Sequence, residues 1–300
     1  MDTPDTVALR RNRRHAILCI LGASATFAVA AACVKVVAPR IPTLEIVFFR
    51  NAFMLPALLP LIIRAGGWRA LRTRRPLGHA ARTAFGLLGM VSAFYGYSVL
   101  PLATVTALGF AMPLFLTVLS IPLLGERVGP RRGGAVLVGL VGVLAIVRPW
   151  EGGDDMPLGA MAFVLSGVLG WALAMITIRQ MGAAGESNIA IVAWFGVGAM
   201  IVTGFAMLPG WVTPSGWDWL FLVAVGVVSA LAQMLMTEAY RSGEATLVAP
   251  FEYGGILYTM ALGLVIWGEW PAWMDFAGIA VLILSGLYIW NREVTRARDR

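Results

Sequence analysis

Ten apolar runs, each long enough to cross a bilayer, follow one another along this chain with little between them. They cover about 15–37, 43–63, 79–99, 102–124, 131–148, 157–177, 188–208, 217–238, 246–268 and 272–290. A helix rises 1.5 Å per residue, so about 20 apolar residues cross the roughly 30 Å hydrocarbon core. Backbone polar groups inside lipid must pair within their own segment, and a series of such runs folds as an all-α bundle. The longest gap, Arg64 to Gly78, leaves no room for a soluble domain. Charged residues make up 13% of the chain, against about 25% in soluble domains. Pro and Gly punctuate the gaps, at Pro39, Pro42, Gly66-Gly67, Pro101, Gly125, Gly152-Gly153, Gly182, Pro209-Gly210, Gly243 and Pro271.

The formal charge of +7 raises nucleic acid as a partner, but its distribution argues against one. Of 23 basic residues, 22 are Arg and Lys35 is the only lysine. They cluster in the short gaps instead of forming one stripe. With a cytoplasmic N-terminus and ten spans, nineteen basic residues fall on the inner side, Arg82 among them. Only Arg40 and Arg148 fall outside, while Lys35 and Arg50 lie within spans. Such a bias is the positive-inside pattern, and it places both termini in the cytoplasm. Glu151, Asp154 and Asp155 then share an outer loop. Arg10-Arg11-Asn12-Arg13-Arg14 before an apolar run resembles a signal peptide, yet the run continues to Val37. Signal cores span roughly 7–15 residues, so this is the first membrane helix. Cys19 and Cys33 sit in that run as small buried residues with no disulfide framework.

An internal repeat appears at an offset near 143 residues. Phe27-Ala28-Val29-Ala30 to Lys35 parallels Trp171-Ala172-Leu173-Ala174 to Arg179. Ala103-Thr104 matches Ala245-Thr246, and Gly125-Glu126 matches Gly268-Glu269. Residues 1–150 and 151–300 thus hold five spans each. Five is odd, so equivalent helices cross in opposite directions, as in carriers whose site lies near the midplane between inverted repeats.

These residues carry a resemblance. Phe49-Arg50, the run Pro101 to Ala107, Gly125-Glu126-Arg127, Ala249-Pro250-Phe251-Glu252-Tyr253 and Gly268-Glu269 resemble the EamA-type families of the drug/metabolite transporter superfamily over nearly the whole chain. The resemblance implies a ten-helix fold with a central cavity lined by spans 1, 3, 4, 6, 8 and 9. Spans five and ten would be peripheral. It is closest in kind to bacterial aromatic amino acid exporters.

Several residues are candidates for chemistry. Arg50 lies about seven residues into span two, where a charge costs about 2.5–3.5 kcal/mol. It either attracts a substrate carboxylate or pairs structurally with an acid or with helix-end carbonyls. Glu252 lies roughly 9 Å deep from the inner face and Arg50 roughly 10 Å from the outer. Roughly 11 Å then separate them in a core of about 30 Å, which disfavours a direct salt bridge. Glu252 either binds a substrate amine or coupling proton, or is held structurally. Pro113, and Pro250 with Gly254 and Gly255, interrupt corresponding spans, which points to a site where freed backbone groups meet substrate; simple kinks are the other reading. Phe27, Trp171, Tyr95, Tyr97, Phe110, Tyr253 and Tyr258 lie near mid-span, as cavity lining or as packing. Trp211, Trp217, Trp219, Trp267, Trp270, Trp273 and Trp290 stand at span ends as an interfacial belt. Gly86, Gly89, Ala93 and Gly96 in span three, with Gly139 and Gly142 in span five, permit close helix approach. Glu126 and Glu269 end equivalent helices in structural roles, and His15 and His79 receive no chemistry.

No nucleotide-binding or metal-binding spacing occurs, and no catalytic constellation. The expectation is a monomeric or weakly dimeric secondary carrier in the bacterial inner membrane, without cofactor or metal and not an enzyme. Its partners would be membrane lipid and a small-molecule substrate. It would export amino acids and related metabolites by alternating access. Uptake of a vitamin- or nucleoside-like metabolite is the rival reading; a membrane scaffold or sensor is a more distant one.

Overall fold

In a computed structural model, residues 4–124, 130–148, 150, 157–242 and 253–298 are described. They form α1 (Pro4–Val37), α2 (Thr43–Arg64), α3 (Pro76–Val99), α4 (Leu102–Gly109), α5 (Met112–Leu124), α6 (Pro130–Val147), α7 (Leu158–Ala183), α8 (Asn188–Ala206), α9 (Trp217–Ser242), α10 (Gly255–Trp267) and α11 (Trp273–Arg298). Among the described residues there is no strand. Six stretches are long and apolar enough to cross a membrane, in α1, α2, α4 with α5, α7, α8 and α9. Shorter apolar helices lie in α6, α10 and α11. Outward-facing Leu18, Ile63, Leu137, Phe205, Val265 and Leu284 are largely exposed. An apolar exterior of this kind is stable against lipid and not against water.

Local chemistry sets the helix ends. Pro42, Pro101 and Pro157 immediately precede α2, α4 and α7, and Pro76 and Pro130 open α3 and α6. Proline lacks the N–H that a first turn leaves unpaired, and its φ suits that position. At α8 the Ser187 hydroxyl accepts the Ala190 N–H at 3.1 Å, an N-cap. Helix α10 stops at Gly268, whose φ of +67° is left-handed. The Gly268 and Glu269 N–H groups then donate back to Leu264 and Gly263 carbonyls.

Span four, where Pro113 suggested an interruption or a kink, is two helices and not one. Phe110-Ala111 form a turn between α4 and α5, with N–H groups donating to Ala107 and Leu108 at 3.0 Å. The cause is Pro113, second residue of α5, which cannot donate to Gly109 and would press on its carbonyl in a continuous helix.

The packing repeats itself within the molecule. Helix α1 packs along α9 and against α10; α7 packs along α3 and against α4 and α5. Likewise α2 packs on α9, and α8 on α3. Exchanging each helix for the one in the corresponding place of the other half interconverts these contacts. The remaining main pairs, α2 with α8, α4 with α10 and α6 with α11, join equivalents to each other. Leu108, Leu114, Ile146, Val164 and Leu282 centre the larger core, and Val34, Ile46, Leu222 and Val225 a second. Small residues let the pairs close. A Cβ on Gly142 would stand 2.9 Å from the Gly278 carbonyl, and one on Gly89 3.1 Å from that of Gly167.

Candidate functional site

The turn between α4 and α5 meets the turn that precedes α10. Phe110, at the α4–α5 break, packs edge-on against Tyr253, with ring centroids 4.8 Å apart. Tyr253-Gly254 is the turn that leads into α10, and Gly254 caps it. At an offset of about 143 residues, Phe110 and Tyr253 are equivalents. The Tyr253 hydroxyl lies over Gly286 of α11, where a Cβ would come within 2.0 Å. Pro250 and Glu252 lie outside the described residues.

The other aromatic candidates are dispersed. Tyr97 is shared by three apolar clusters. Tyr95 packs edge-on against Phe163 at 5.6 Å, on the α3–α7 seam. Trp171 follows that seam and lies against Gly89, about 3.3 Å from where a Cβ would be. Tyr95 and Trp171 are 39% and 38% exposed, so neither is core. Phe27 and Tyr258 are half-buried. A cavity of about 310 Å³ does occur, but at the helix ends: Arg74 to Gly78, leading into α3, line it with Thr177, Gln180 and Met181 of α7.

Charge within the bundle falls into two kinds of place. At helix ends it is paired. Lys35 of α1 is ion-paired with Glu269 and donates to the Leu100 carbonyl at 2.7 Å. Glu269 also accepts the Leu102 N–H at 3.2 Å, so one carboxylate ties α1 and α4 to the end of α10. Arg40 donates to Asp218 at 2.7 Å, and Arg148 to Asp275 at 3.3 Å. Glu45 accepts the Val212 N–H at 3.1 Å. At the opposite ends, Glu186 accepts from the Thr73 hydroxyl and the Arg74 N–H, and His79 Nε2 lies 3.3 Å from it. Burial pushes the Glu186 carboxyl up, but the bonds from Arg74, His79 and Thr73 outweigh it and hold the group below the usual carboxylate range. Every one of these contacts joins segments that the positive-inside reading assigns to a single side.

Deeper in the bundle the arrangement differs. Arg50 is 8% exposed and donates to Asn51 Oδ1 at 3.2 Å, with Met90 Sδ at 3.7 Å. Arg82 corrects the charge count: it is not an inner-loop residue but lies between helices, its Cζ 4.1 Å above the Phe195 ring. Its Nε and Nη1 are buried without a hydrogen-bond partner. Sequence reasoning missed it because it lies only about six residues into α3, where a charge reaches the interface as readily as the interior.

A sequence profile of the EamA-like transporter family matches the chain twice, over residues 14–148 and 158–291. The chain belongs to the EamA-like transporter family. This EamA-like protein is 33% identical to a pseudopaline exporter of Pseudomonas aeruginosa, over 91% of this chain and 94% of the relative. It is 30% identical to a riboflavin transporter of Rhizobium johnstonii, over 86% and 84%. An S-adenosylmethionine uptake transporter of Rickettsia bellii is 28% identical over 85% and 86%. A solved crystal structure shares the fold, with a TM-score of 0.62 at 18% identity, covering 97% of this chain and 99% of that one. The EamA-like protein is thus a multi-pass membrane transporter with bacterial relatives that carry small molecules.

Proposed function

We propose that the protein is a secondary carrier, and not an enzyme, that exports amino acids and related small metabolites by alternating access. Its two five-helix halves would be inverted repeats in a ten-span bundle of the bacterial inner membrane, with both termini cytoplasmic. The observation that carries this reading is the internal symmetry of the packing, with the equivalent residues Phe110 and Tyr253 in contact between the halves. Two halves of one design, rocking about those breaks, would expose a midplane site to each side in turn. The Lys35–Glu269 pair ties the halves at one end and would part when that end opens. In this reading Trp171 and Tyr258 line the path, and Glu252 carries a coupling proton. The bland alternatives for these residues are packing and structural hydrogen bonding.

Flux through proteoliposomes tests it. Efflux of phenylalanine or tryptophan, raised by a pH gradient, is the expected result. Trp171→Ala and Tyr258→Ala should each lower that flux by well over half with folded protein retained. Glu252→Gln should abolish pH-driven accumulation while exchange persists. The second reading, uptake, is favoured by the relatives described as riboflavin and S-adenosylmethionine transporters. Inward movement of either compound, with no amino acid moved, would replace export by uptake.

A further inference from the structure

Arg50, which is buried, and Arg82, which is half-buried, are like charges on neighbouring helices, each set among apolar side chains. Met90 and Phe195 belong to one buried cluster with Val47 and Ala199. Arg50 reaches that cluster through Met90 Sδ, and Arg82 through the Phe195 ring. Met90 and Phe195 thus bring both guanidinium groups against the same apolar cluster. Gly86 makes room for the arrangement, since a Cβ there would fall 1.9 Å from Arg82 Nη1. Among the described residues, each carboxylate in an ion pair belongs to Lys35, Arg40, His79 or Arg148, and none to these two.

With no carboxylate paired to them among the described residues, two cations in low dielectric are costly, because desolvation is not offset there. The side chain that tolerates the position is also the one whose planar fork matches an oxyanion with two parallel hydrogen bonds. Arg82 offers two such donors, Nε and Nη1, both unused. Arg82 stays partly exposed, so a ligand can approach it. The α2–α3–α8 contact therefore has the charge, donors and apolar walls of a site for a molecule with an anionic head and an apolar body.

We propose that Arg50 and Arg82 form the subsite for the carboxylate of the transported molecule. This rests on the carrier reading for the source of the ligand, and on the arginine pair alone for its chemistry. Thermal melting of the purified protein, followed by tryptophan fluorescence at fixed ionic strength, separates the two. Four probes are added singly: phenylalanine, 3-phenylpropionate (no amine), phenylalaninamide (no carboxylate) and inorganic phosphate. Phenylalanine and 3-phenylpropionate should raise the melting temperature, and phenylalaninamide should not. Arg82→Met and Arg50→Gln should each weaken the apparent affinity for the acids by about tenfold or more. Without ligand, Arg82→Met should melt at or above the wild-type temperature, because no ion pair is lost and the thioether chain still packs on Phe195. Should Arg50→Gln fail to fold, the acid-against-amide comparison on the wild type still decides. Stabilisation by phosphate alone, lost in Arg82→Met, would keep the oxyanion subsite and remove the amino acid as cargo. Amide binding equal to acid, unchanged acid affinity in Arg82→Met, an unliganded Arg82→Met that melts many degrees lower, or silence from every anion would each overturn the proposal.

Discussion

The helix ends and the bundle interior use basic residues in opposite ways. At the ends, Lys35, Arg40 and Arg148 each hold a carboxylate, and Glu186 gathers three donors. Inside, Arg50 has one amide oxygen and a thioether, and Arg82 has an aromatic face. A paired charge at an end is bonded well enough to fasten one helix to another. A charge kept in the interior without an acid contributes nothing to stability that an apolar side chain would not supply. The contrast separates residues that hold the bundle together from residues available to a ligand.

The sharpest way to break this comparison is to orphan the best-connected pair. Glu269→Ala leaves Lys35 buried without its acid and removes the acceptor of the Leu102 N–H, and should destabilise the protein by roughly 3 kcal/mol. Replacing both partners, Lys35→Met with Glu269→Leu, should recover most of that loss. Chemical unfolding in detergent reads both, and equal melting of the single and double variants would show that the pair is not a unit.

A smaller effect is expected at the opposite ends of the helices. The Glu186 carboxyl is held below its usual range in the folded protein, so its contribution is present above the unfolded value of about 4.3. It should be lost as pH falls through the lower folded value. Glu186→Gln should flatten this acid limb of the stability profile; an unchanged limb would mean that the bonds from Thr73, Arg74 and His79 do not select the ionised form.

Crowding sharpens the comparison from the interior. Gly86→Ala would place a Cβ against Arg82 Nη1 and 2.8 Å from Phe195. The flexible guanidinium can move and the ring must shift, so a cost of about 1 kcal/mol is expected, with weakened binding of 3-phenylpropionate. Full binding in that variant would show that the Arg82 position is not the one that matters.

The smallest effect belongs to the most exposed pair. The Arg40 side chain is 52% exposed, so solvent screens its attraction to Asp218. Arg40→Gln should change stability by less than about 1 kcal/mol, within the range typical of exposed pairs. A loss as large as that of Glu269→Ala would mean that position along the helix, and not burial, ranks these pairs.

Much of the architecture was legible because bilayer physics acts on one helix at a time. Apolar length marks the membrane helices, prolines mark their starts, and Gly268 marks the end of α10. The repeat was legible from Phe27 and Trp171, whose helices α1 and α7 take corresponding places in the packing. Pro113 and Gly254 pointed to interruptions, and turns stand beside both. The interfacial belt was legible in part: Trp217, Trp270 and Trp273 are largely exposed, whereas Trp211 and Trp219 pack on Phe49 at 6.0 and 5.2 Å.

What a single helix cannot encode is the partner that meets each of its faces. The sequence by itself determined that this chain is a helical membrane bundle and where most of its helices begin, since these follow from apolar length and from hydrogen bonding within a segment. Only the tertiary structure decided that Lys35 and Glu269 join, that Phe110 meets Tyr253, and that Arg82 turns inward over Phe195 instead of outward to the interface. Depth along a helix is a property of spacing. Direction around it is settled by what packs there, and at Arg82 the deciding neighbours are Gly86, one turn along the same helix, and Phe195, more than a hundred residues away in sequence.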